Sequence, residues 1–193
     1  MSAMVPSRSF ICLRHGATDW NRQGLFQGRT DNPLNDDGIA QAHAAAEKLR
    51  TVALAHVVSS PLLRAVQTAE IIANIASRTV TLDRGLIELD FGSFEGQPVR
   101  ELMVRHGKNS AQGLVDMLPK DSEPWADCAS RAMHCVSVWL DRHPPQDEIL
   151  FVCHDAVMQS MAQRLTGKFF KNGHGRPFRF TLRDGAWTVI EVG

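Results

Sequence analysis

The sequence predicts an α/β fold, namely a three-layer α/β/α sandwich with a mostly parallel central sheet. Two short, nearly continuous apolar runs, at residues 10–13 and 148–153, are typical of strands that are buried on both faces. Segments with apolar residues at helical spacing alternate with such strands along the chain. This alternation indicates a parallel sheet that is covered by helices on both sides.

The first half of the chain contains two helix starts and a second strand. Asn35 is a preferred N-cap residue, acidic residues follow it, and an alanine-rich stretch leads to Arg50, which together predict one helix. Residues 56–59 form the second predicted strand. Ser60 is a capping residue type and Pro61 is favoured at the first helical position, so we expect the next helix to begin there.

The second half of the chain continues the alternation and ends in a hairpin. A pair of prolines ends a long amphipathic helix, and an Asp-Gly turn joins the last two strands. The predicted elements are a strand at 80–82, a loop at 86–96, a weak helix at 99–106, an irregular connection at 112–124, a long helix at 124–142, a strand at 148–153, a helix at 156–165, and strands at 177–182 and 186–192.

Size and charge limit the domain count and the kind of partner. The chain has 193 residues, of which 44% are hydrophobic, and we predict a single domain over residues 1–193. Its 21 basic and 21 acidic residues cancel, so no overall field attracts nucleic acid or a membrane surface. We therefore expect a small-molecule partner, bound where charge is locally concentrated.

Cysteine usage and the absence of long apolar runs bear on the compartment. The four cysteines show no metal-ligand spacing, and Cys12 and Cys153 fall in predicted buried strands, where thiols behave as small apolar groups. The N-terminal segment has no apolar leader region, and no window approaches the length of a membrane-spanning helix. We expect a cytoplasmic protein in a reducing compartment, with no metal and no cofactor.

Arg14 and His15 follow the first predicted strand directly, where open α/β sheets bind ligands. A single histidine at a strand end is most often a core residue that hydrogen-bonds to the backbone. An arginine at the end of a buried strand needs an anion, because an unpaired buried charge is costly. Arg64 lies in the first turn of the next predicted helix, whose free N–H groups also favour an anion. The pattern predicts a phosphate site.

Two further residues complete an ordered set. Glu88 lies in a Leu-Ile-Glu segment before Gly92 and Gly96, and His154 follows the second apolar run. With Arg-His-Gly and Ser-Pro-Leu-Leu-Arg-Ala, this set resembles the histidine phosphatase superfamily, phosphoglycerate-mutase-like branch, over most of the chain. The resemblance implies that His15 attacks phosphorus and becomes phosphorylated. It also implies that Arg14, Arg64 and His154 bind the phosphate, and that Glu88 protonates the leaving alkoxide and then activates water.

Further positions match the family less specifically. Asn21, Gln27 and Gly28 correspond to family positions near the phosphate, with Asn21 as a neutral donor. Asp155 departs from this branch, which usually carries glycine after the late histidine, whereas the acid-phosphatase branch carries His-Asp with the Asp as proton donor. We expect Glu88 to be the principal donor and Asp155 to be an auxiliary or substrate-contacting group, or only a helix cap.

Several residues around the predicted site receive secondary interpretations. Glu95 is expected to orient the glycine loop through hydrogen bonds, and Trp20 is the tryptophan expected at the pocket. Residues 172–175 are expected to form a solvent-facing loop with a histidine. The structural alternative for Glu88 is a surface ion pair with Arg84.

The first functional hypothesis is a metal-independent phosphatase that hydrolyses a small phosphorylated metabolite through a phosphohistidine. A phosphoglycerate mutase is the enzymatic alternative, although the short stretch between Gly96 and Pro124 leaves little chain to enclose an intermediate. A phospho-ligand binding module is the third hypothesis, and the retained acid argues against it because a binder needs no proton donor. The sequence predicts neither the leaving group nor the oligomeric state.

Overall fold

The computed structural model describes residues 4–193, so residues 1–3 of the predicted domain lie outside the described part. The strands are β1 at Phe10–Arg14, β2 at Leu54–Ser59, β3 at Val80–Leu82, β4 at Glu148–Cys153, β5 at Pro177–Arg183 and β6 at Ala186–Glu191. They form one sheet in the order β3-β2-β4-β1-β5-β6. The pairs β3-β2, β2-β4 and β4-β1 are parallel, and β5 and β6 continue the sheet in antiparallel pairing. The mostly parallel sheet confirms the predicted fold class.

Helices cover both faces of this sheet. The helices are α1 at Asp19–Gln23, α2 at Asp36–Leu49, α3 at Leu63–Ile75, α4 at Val99–Arg105, α5 at Ala111–Asp116, α6 at Trp125–Arg142 and α7 at Asp155–Thr166. Successive residues of β1 face opposite layers, so that Ile11 and Leu13 pack in one apolar cluster with α2 and α3, and Phe10 and Cys12 pack in another with α6 and α7.

The start of α3 differs from the prediction, since the helix begins at Leu63 and not at Ser60 and Pro61. The Ser60 hydroxyl accepts a hydrogen bond from the Leu62 N–H at 3.3 Å and also contacts the His154 ring at 2.7 Å. It therefore bonds both to the turn before α3 and to the histidine that follows β4. The carboxylate of Asp31 accepts the Leu63 N–H at 2.6 Å and caps the helix from a distant loop. By contrast, Asn35 caps α2 as predicted.

Two short helices were not expected. Thr18 and Asn21 form a reciprocal capping box that begins α1, and Gly24 ends this helix with φ +70°. The helix α5 occupies part of the predicted irregular connection at 112–124, and the Ser110 side chain caps it. Both helices border the pocket described below.

Within residues 4–193, no helix combines the length and the apolar character that crossing a bilayer requires. All four cysteines are buried free thiols. Burial raises the pKa of Cys128 to about 12, so this thiol is a small apolar group of the core rather than a nucleophile.

Candidate active site

The carboxyl ends of β1 and β4 bring two histidines together. Arg14 pairs with Cys153 in the parallel register, so His15 and His154 leave the two strands side by side. The His15 N–H donates to the Cys153 carbonyl at 3.0 Å, and the two imidazole ring centroids are 5.1 Å apart. Both side chains are buried.

His15 is held as a neutral imidazole with one nitrogen free of a proton. Its Nδ1 lies 2.6 Å from the carbonyl oxygen of Gly16, which can only accept, so Nδ1 carries the hydrogen and donates it. Its Nε2 then has a lone pair and accepts a bond from Arg64 Nε at 3.2 Å. Burial, followed by the charges of Arg64 and Arg14, holds the pKa of His15 well below its usual value.

Arg64 places a fully buried guanidinium against this imidazole. Its two terminal nitrogens donate to the carbonyl oxygens of Thr30 and Gly28, at 2.9 and 2.8 Å. Because these acceptors are neutral, the hydrogen bonds orient the guanidinium without neutralising its charge. Burial lowers the pKa of Arg64 from its usual value, which leaves the group a cation in a desolvated position that favours an anion.

Gly28 contributes backbone rather than a side chain. Its φ is +53°, and a Cβ at this position would lie 1.8 Å from Glu95 Oε1. Glu95 accepts hydrogen bonds from the N–H groups of Arg29 and Thr30, at 2.8 and 3.1 Å, and thereby fixes the loop whose carbonyls hold Arg64. The structure agrees with the orienting interpretation of Glu95.

His154 lies beneath the pocket floor rather than on its surface, since its side chain is 0% exposed and the pocket lining does not include it. It is the N-cap residue of α7, its Nε2 contacts the Ser60 hydroxyl at 2.7 Å, and its Nδ1 is buried without a hydrogen-bond partner among residues 4–193. Burial, then Arg64 and His15, hold the pKa of His154 well below its usual value.

Arg14 and Asp155 face each other at the pocket edge. The nearest nitrogen of Arg14 is 3.7 Å from Asp155 Oδ2 and 3.4 Å from the carbonyl of Asn172, and Arg14 Nε is buried without a partner in the described chain. Asp155 is the first residue of α7 and not its cap, because His154 occupies the cap position. The alternative that Asp155 is only a helix cap is therefore wrong.

The segment 172–175 was predicted as a solvent-facing loop, and this prediction is wrong. Asn172 and Gly175 are buried, and the Gly175 N–H donates to the Arg14 carbonyl at 3.0 Å, which holds the segment over the end of β1. The His174 ring centroid is 5.8 Å from that of His15, and burial lowers the pKa of His174 to about 4. Because β5 pairs antiparallel with β1, the chain that precedes β5 must pass the carboxyl end of β1. The sequence pattern of a single element does not reveal such a pairing between distant strands.

Glu88 is the acidic group of the pocket. Its side chain is buried and accepts bonds from the N–H groups of Leu89 and Ala156, at 2.8 and 3.4 Å. Burial is the largest cause that raises the pKa of Glu88 to about 7. Among residues 4–193, the Glu88 carboxylate contacts these backbone N–H groups and forms no ion pair with Arg84, which was the structural alternative. At neutral pH the carboxyl group can therefore either donate or accept a proton.

The remaining predicted residues border the same pocket. Asn21 lines the pocket, but its side-chain oxygen Oδ1 also accepts hydrogen bonds from the Thr18 N–H and the Thr18 hydroxyl, both at 3.1 Å, in the capping box of α1. Gln27 lines it, and its oxygen accepts the Thr18 hydroxyl at 3.0 Å. Trp20, predicted at the pocket, is not among its lining residues, and its ring lies where a Cβ added to Gly96 would be 3.5 Å from it. The tryptophan in the pocket wall is Trp125.

The pocket joins this polar end to an apolar wall. Its volume is about 310 Å³, and Arg14, His15, Arg64 and Glu88 line one part of it. The apolar lining comes from several separated segments of the chain and includes Leu25, Phe91, Val99, Leu114, Trp125 and Phe169. The sequence predicted the polar end of the pocket but not its apolar wall.

A second histidine cluster lies at the opposite, amino end of the strands. The ligating atoms of His56, His143 and Asp147 are within 4.8 Å of one another, although the spacing of these residues predicted no metal site. His56 Nε2 is 3.5 Å from Asp147 Oδ2, and the His143 ring stacks on Trp139. The Arg8 guanidinium donates to the carbonyls of His143 and Asp147, which places a cation beside the cluster. These contacts explain why the three side chains lie together: they are part of the packing at the amino end of the strands.

A phosphoryl group suits a buried guanidinium, a second guanidinium that is partly buried and an uncharged imidazole, so the fold and the site are those expected of an α/β phosphoryl-transfer protein. Comparison with known families agrees. The family described as "Histidine phosphatase superfamily (branch 1)" matches residues 10–193, and the chain belongs to this superfamily.

Individual relatives carry different names. "Probable phosphoglycerate mutase GpmB" of Yersinia pestis (strain Pestoides F) is 42% identical over 158 residues, which are 80% of this chain and 73% of the relative. A solved mycobacterial glucosyl-3-phosphoglycerate phosphatase in complex with VO3 is 24% identical, with a TM-score of 0.81 and coverage of 96% and 98% of the two chains. A phosphoglycerate mutase from Bacillus anthracis str. Sterne is 22% identical, with a TM-score of 0.79 and coverage of 96% and 93%. Hydrolase and mutase names thus occur on the same fold.

Proposed function

We propose that the protein is a metal-independent phosphatase that hydrolyses a small phosphomonoester through a phosphohistidine on His15. One observation carries the proposal: the unprotonated Nε2 of His15 and the raised-pKa carboxyl group of Glu88 border the same pocket. A nucleophile and a proton donor, each in its reactive form near neutral pH, are what phosphomonoester cleavage needs.

In the first step, the Nε2 lone pair of His15 attacks phosphorus and the bond from phosphorus to the ester oxygen breaks. Glu88 gives its proton to the departing alkoxide, so an alcohol leaves and Glu88 becomes a carboxylate. Arg14 and Arg64 stabilise the charge on the phosphoryl oxygens, a contribution typically worth about 3–4 kcal/mol per donor. The Nδ1–H bond to the Gly16 carbonyl stabilises the positive charge that the imidazole ring acquires.

In the second step, the Glu88 carboxylate takes a proton from a water molecule, and the resulting hydroxide oxygen attacks phosphorus. The bond from phosphorus to His15 Nε2 breaks and returns its electron pair to the ring. Inorganic phosphate leaves, Glu88 is protonated again, and the enzyme returns to its starting state. No redox change or metal ion is needed for either step.

Labelling tests the intermediate directly. Incubation with a phosphoryl donor and rapid quenching should leave an acid-labile, base-stable phosphoryl group on the protein, since a phosphoramidate bond has this stability. His15→Ala should remove both the label and phosphate release, whereas His134→Ala, on an exposed position of α6, should keep both. Phosphate binding without any label would favour the binding module instead.

The mutase is the second candidate, because several relatives carry that name. A mutase must retain the phosphoryl group while the product rebinds, and the reaction therefore conserves phosphate. Incubation with 3-phosphoglycerate and a bisphosphoglycerate primer separates the two: net release of inorganic phosphate supports the phosphatase. Isomerisation without release would support the mutase and contradict the phosphatase.

A further inference from the structure

We infer that the preferred substrates are phosphomonoesters whose alcohol portion is apolar and carries no negative charge. The inference rests on the proposed phosphatase function and adds the class of leaving group to it. It derives from how charge and apolar surface are divided between the two ends of the pocket.

The cations of the described pocket lining are at its phosphoryl end. Arg14 and Arg64 are the lining guanidiniums, and both adjoin His15, where the phosphoryl group must sit for attack. A transferred phosphoryl group presents three oxygens, which engage both groups. A second anionic group on the substrate would find neither of them available.

Two nearby groups that could contact a second anion, Arg29 and Gln159, already have partners. Arg29 directly follows Gly28, which lines the pocket, but its guanidinium contacts the carboxylates of Asp90 and Glu123, both at 3.3 Å. Gln159 lines the pocket, but its amide donates to the Phe170 carbonyl at 2.5 Å and accepts the Phe170 N–H at 3.1 Å. The charge of Arg29 is therefore already balanced by two carboxylates, and Gln159 cannot bind a substrate carboxylate without losing its backbone partners.

Asp155 adds a charge that opposes a second anion. Its side chain is 45% exposed and lines the pocket, and its Oδ2 lies 3.7 Å from the Arg14 guanidinium. A carboxylate on the alcohol portion of the substrate, as in 3-phosphoglycerate, would enter the field of this aspartate. Like charges in a partly desolvated pocket repel, so such a substrate is disfavoured.

The wall beyond these groups is apolar and held in place. Phe91 packs against Phe26 with ring centroids 4.8 Å apart. The Trp125 indole donates to Gln163 at 2.7 Å, which fixes its orientation, and the Phe169 ring lies 6.1 Å from it. Preformed aromatic surface favours an apolar alcohol because no ordering of the wall is required when the alcohol binds.

Three substrates test the inference on the full-length protein, with kcat/KM measured as phosphate release. Glycerol 3-phosphate and 3-phosphoglycerate differ only in a hydroxymethyl group against a carboxylate, and 2-phenylethyl phosphate supplies the apolar alcohol. All three leave as alkoxides, so the leaving group contributes little to differences between them. We expect 2-phenylethyl phosphate to exceed glycerol 3-phosphate by about tenfold or more, and 3-phosphoglycerate to be the poorest.

Variants assign the two effects to residues. Phe169→Ala should reduce the preference for 2-phenylethyl phosphate over glycerol 3-phosphate, and Phe169→Leu, which keeps apolar bulk, should retain most of it. Asp155→Asn should raise the ratio of 3-phosphoglycerate to glycerol 3-phosphate activity by about fivefold. Asp141→Asn removes one negative charge from an exposed position outside the pocket and should leave that ratio unchanged.

The outcomes separate the inference from the function on which it rests. Phosphate release with 3-phosphoglycerate as the best or an equal substrate would overturn the substrate class and leave the phosphatase standing. An unchanged ratio in Asp155→Asn would overturn the role of that charge. Failure of all three substrates, together with no label on His15, would overturn the phosphatase itself.

Discussion

Burial of single residues sets the protonation states on which the proposed chemistry depends. His15 and Glu88 are both desolvated, and desolvation disfavours the charged form of each. The imidazole is therefore neutral and nucleophilic, whereas the carboxyl group keeps its proton to about pH 7. One physical cause thus prepares a base and an acid with opposite proton requirements.

The pH dependence of kcat/KM tests Glu88 as the proton donor. Only the protonated form can donate in the first step, so kcat/KM should fall tenfold per pH unit above about 7, the pKa of Glu88. Glu88→Gln should lower kcat/KM by about 10²-fold or more and remove this alkaline limb. The second ionisation of the substrate phosphate is common to both proteins and does not account for a difference.

The same measurement on Asp155→Asn decides between the two acids. Asp155 has a partly exposed side chain and contacts Arg14, so we expect the alkaline limb to remain in this variant. A limb that persists in Glu88→Gln and disappears in Asp155→Asn would assign proton donation to Asp155 and contradict the mechanism.

At the scale of elements, α6 holds the backbone that carries Glu88. Arg131, in the second turn of α6, donates to the carbonyls of Gly85, Ile87 and Glu88, at 2.9, 2.5 and 3.1 Å. A bidentate pair with Glu123, at 2.6 and 2.8 Å, fixes the guanidinium. Arg131 is a positioning residue, because it acts on the acid through the backbone of the 85–88 segment.

Arg131→Lys should separate positioning from bulk charge. A lysine keeps the charge but cannot span Glu123 and three carbonyls, so we expect kcat to fall about tenfold with a smaller change in KM. Looser packing should admit water to Glu88 and lower its pKa, moving the alkaline limb to lower pH. Arg142→Lys, at the exposed end of α6, is the matched control. A loss of stability with an unmoved limb would contradict the positioning role.

The positions of the strand ends could be predicted from the sequence, whereas the residues of the pocket wall could not, because the wall depends on packing between distant segments. A buried parallel strand shows itself locally as an apolar run, and its carboxyl end fixes the edge where Arg14, His15 and His154 must lie. The wall combines Phe91, Trp125 and Phe169, whose neighbours in space are set by packing between distant segments. His174 was missed for the same reason, since its place depends on the antiparallel return of β5.

For the whole molecule, burial of the proposed catalytic groups makes the free energy of unfolding depend on pH in two opposite directions. The pKa of Glu88 rises from 4.5 when unfolded to about 7 in the fold. A raised carboxyl pKa means that the contribution of this group is fully present below pH 4.5 and is lost as pH rises through 7. His15 and His154 act in the opposite direction, since their lowered pKa values reduce stability as pH falls below 6.5.

Urea unfolding of the wild type and Glu88→Gln at pH 4.5 and pH 8 measures the contribution of Glu88 to this dependence. The glutamine cannot ionise, so the free energy of unfolding of the variant relative to the wild type should rise by about 3 kcal/mol between these pH values, because each pKa unit corresponds to about 1.4 kcal/mol. The histidines are present in both proteins and cancel in the difference. A difference that is independent of pH would mean that the folded protein ionises Glu88 as readily as the unfolded chain does, which would also remove its proton-donor role near pH 7.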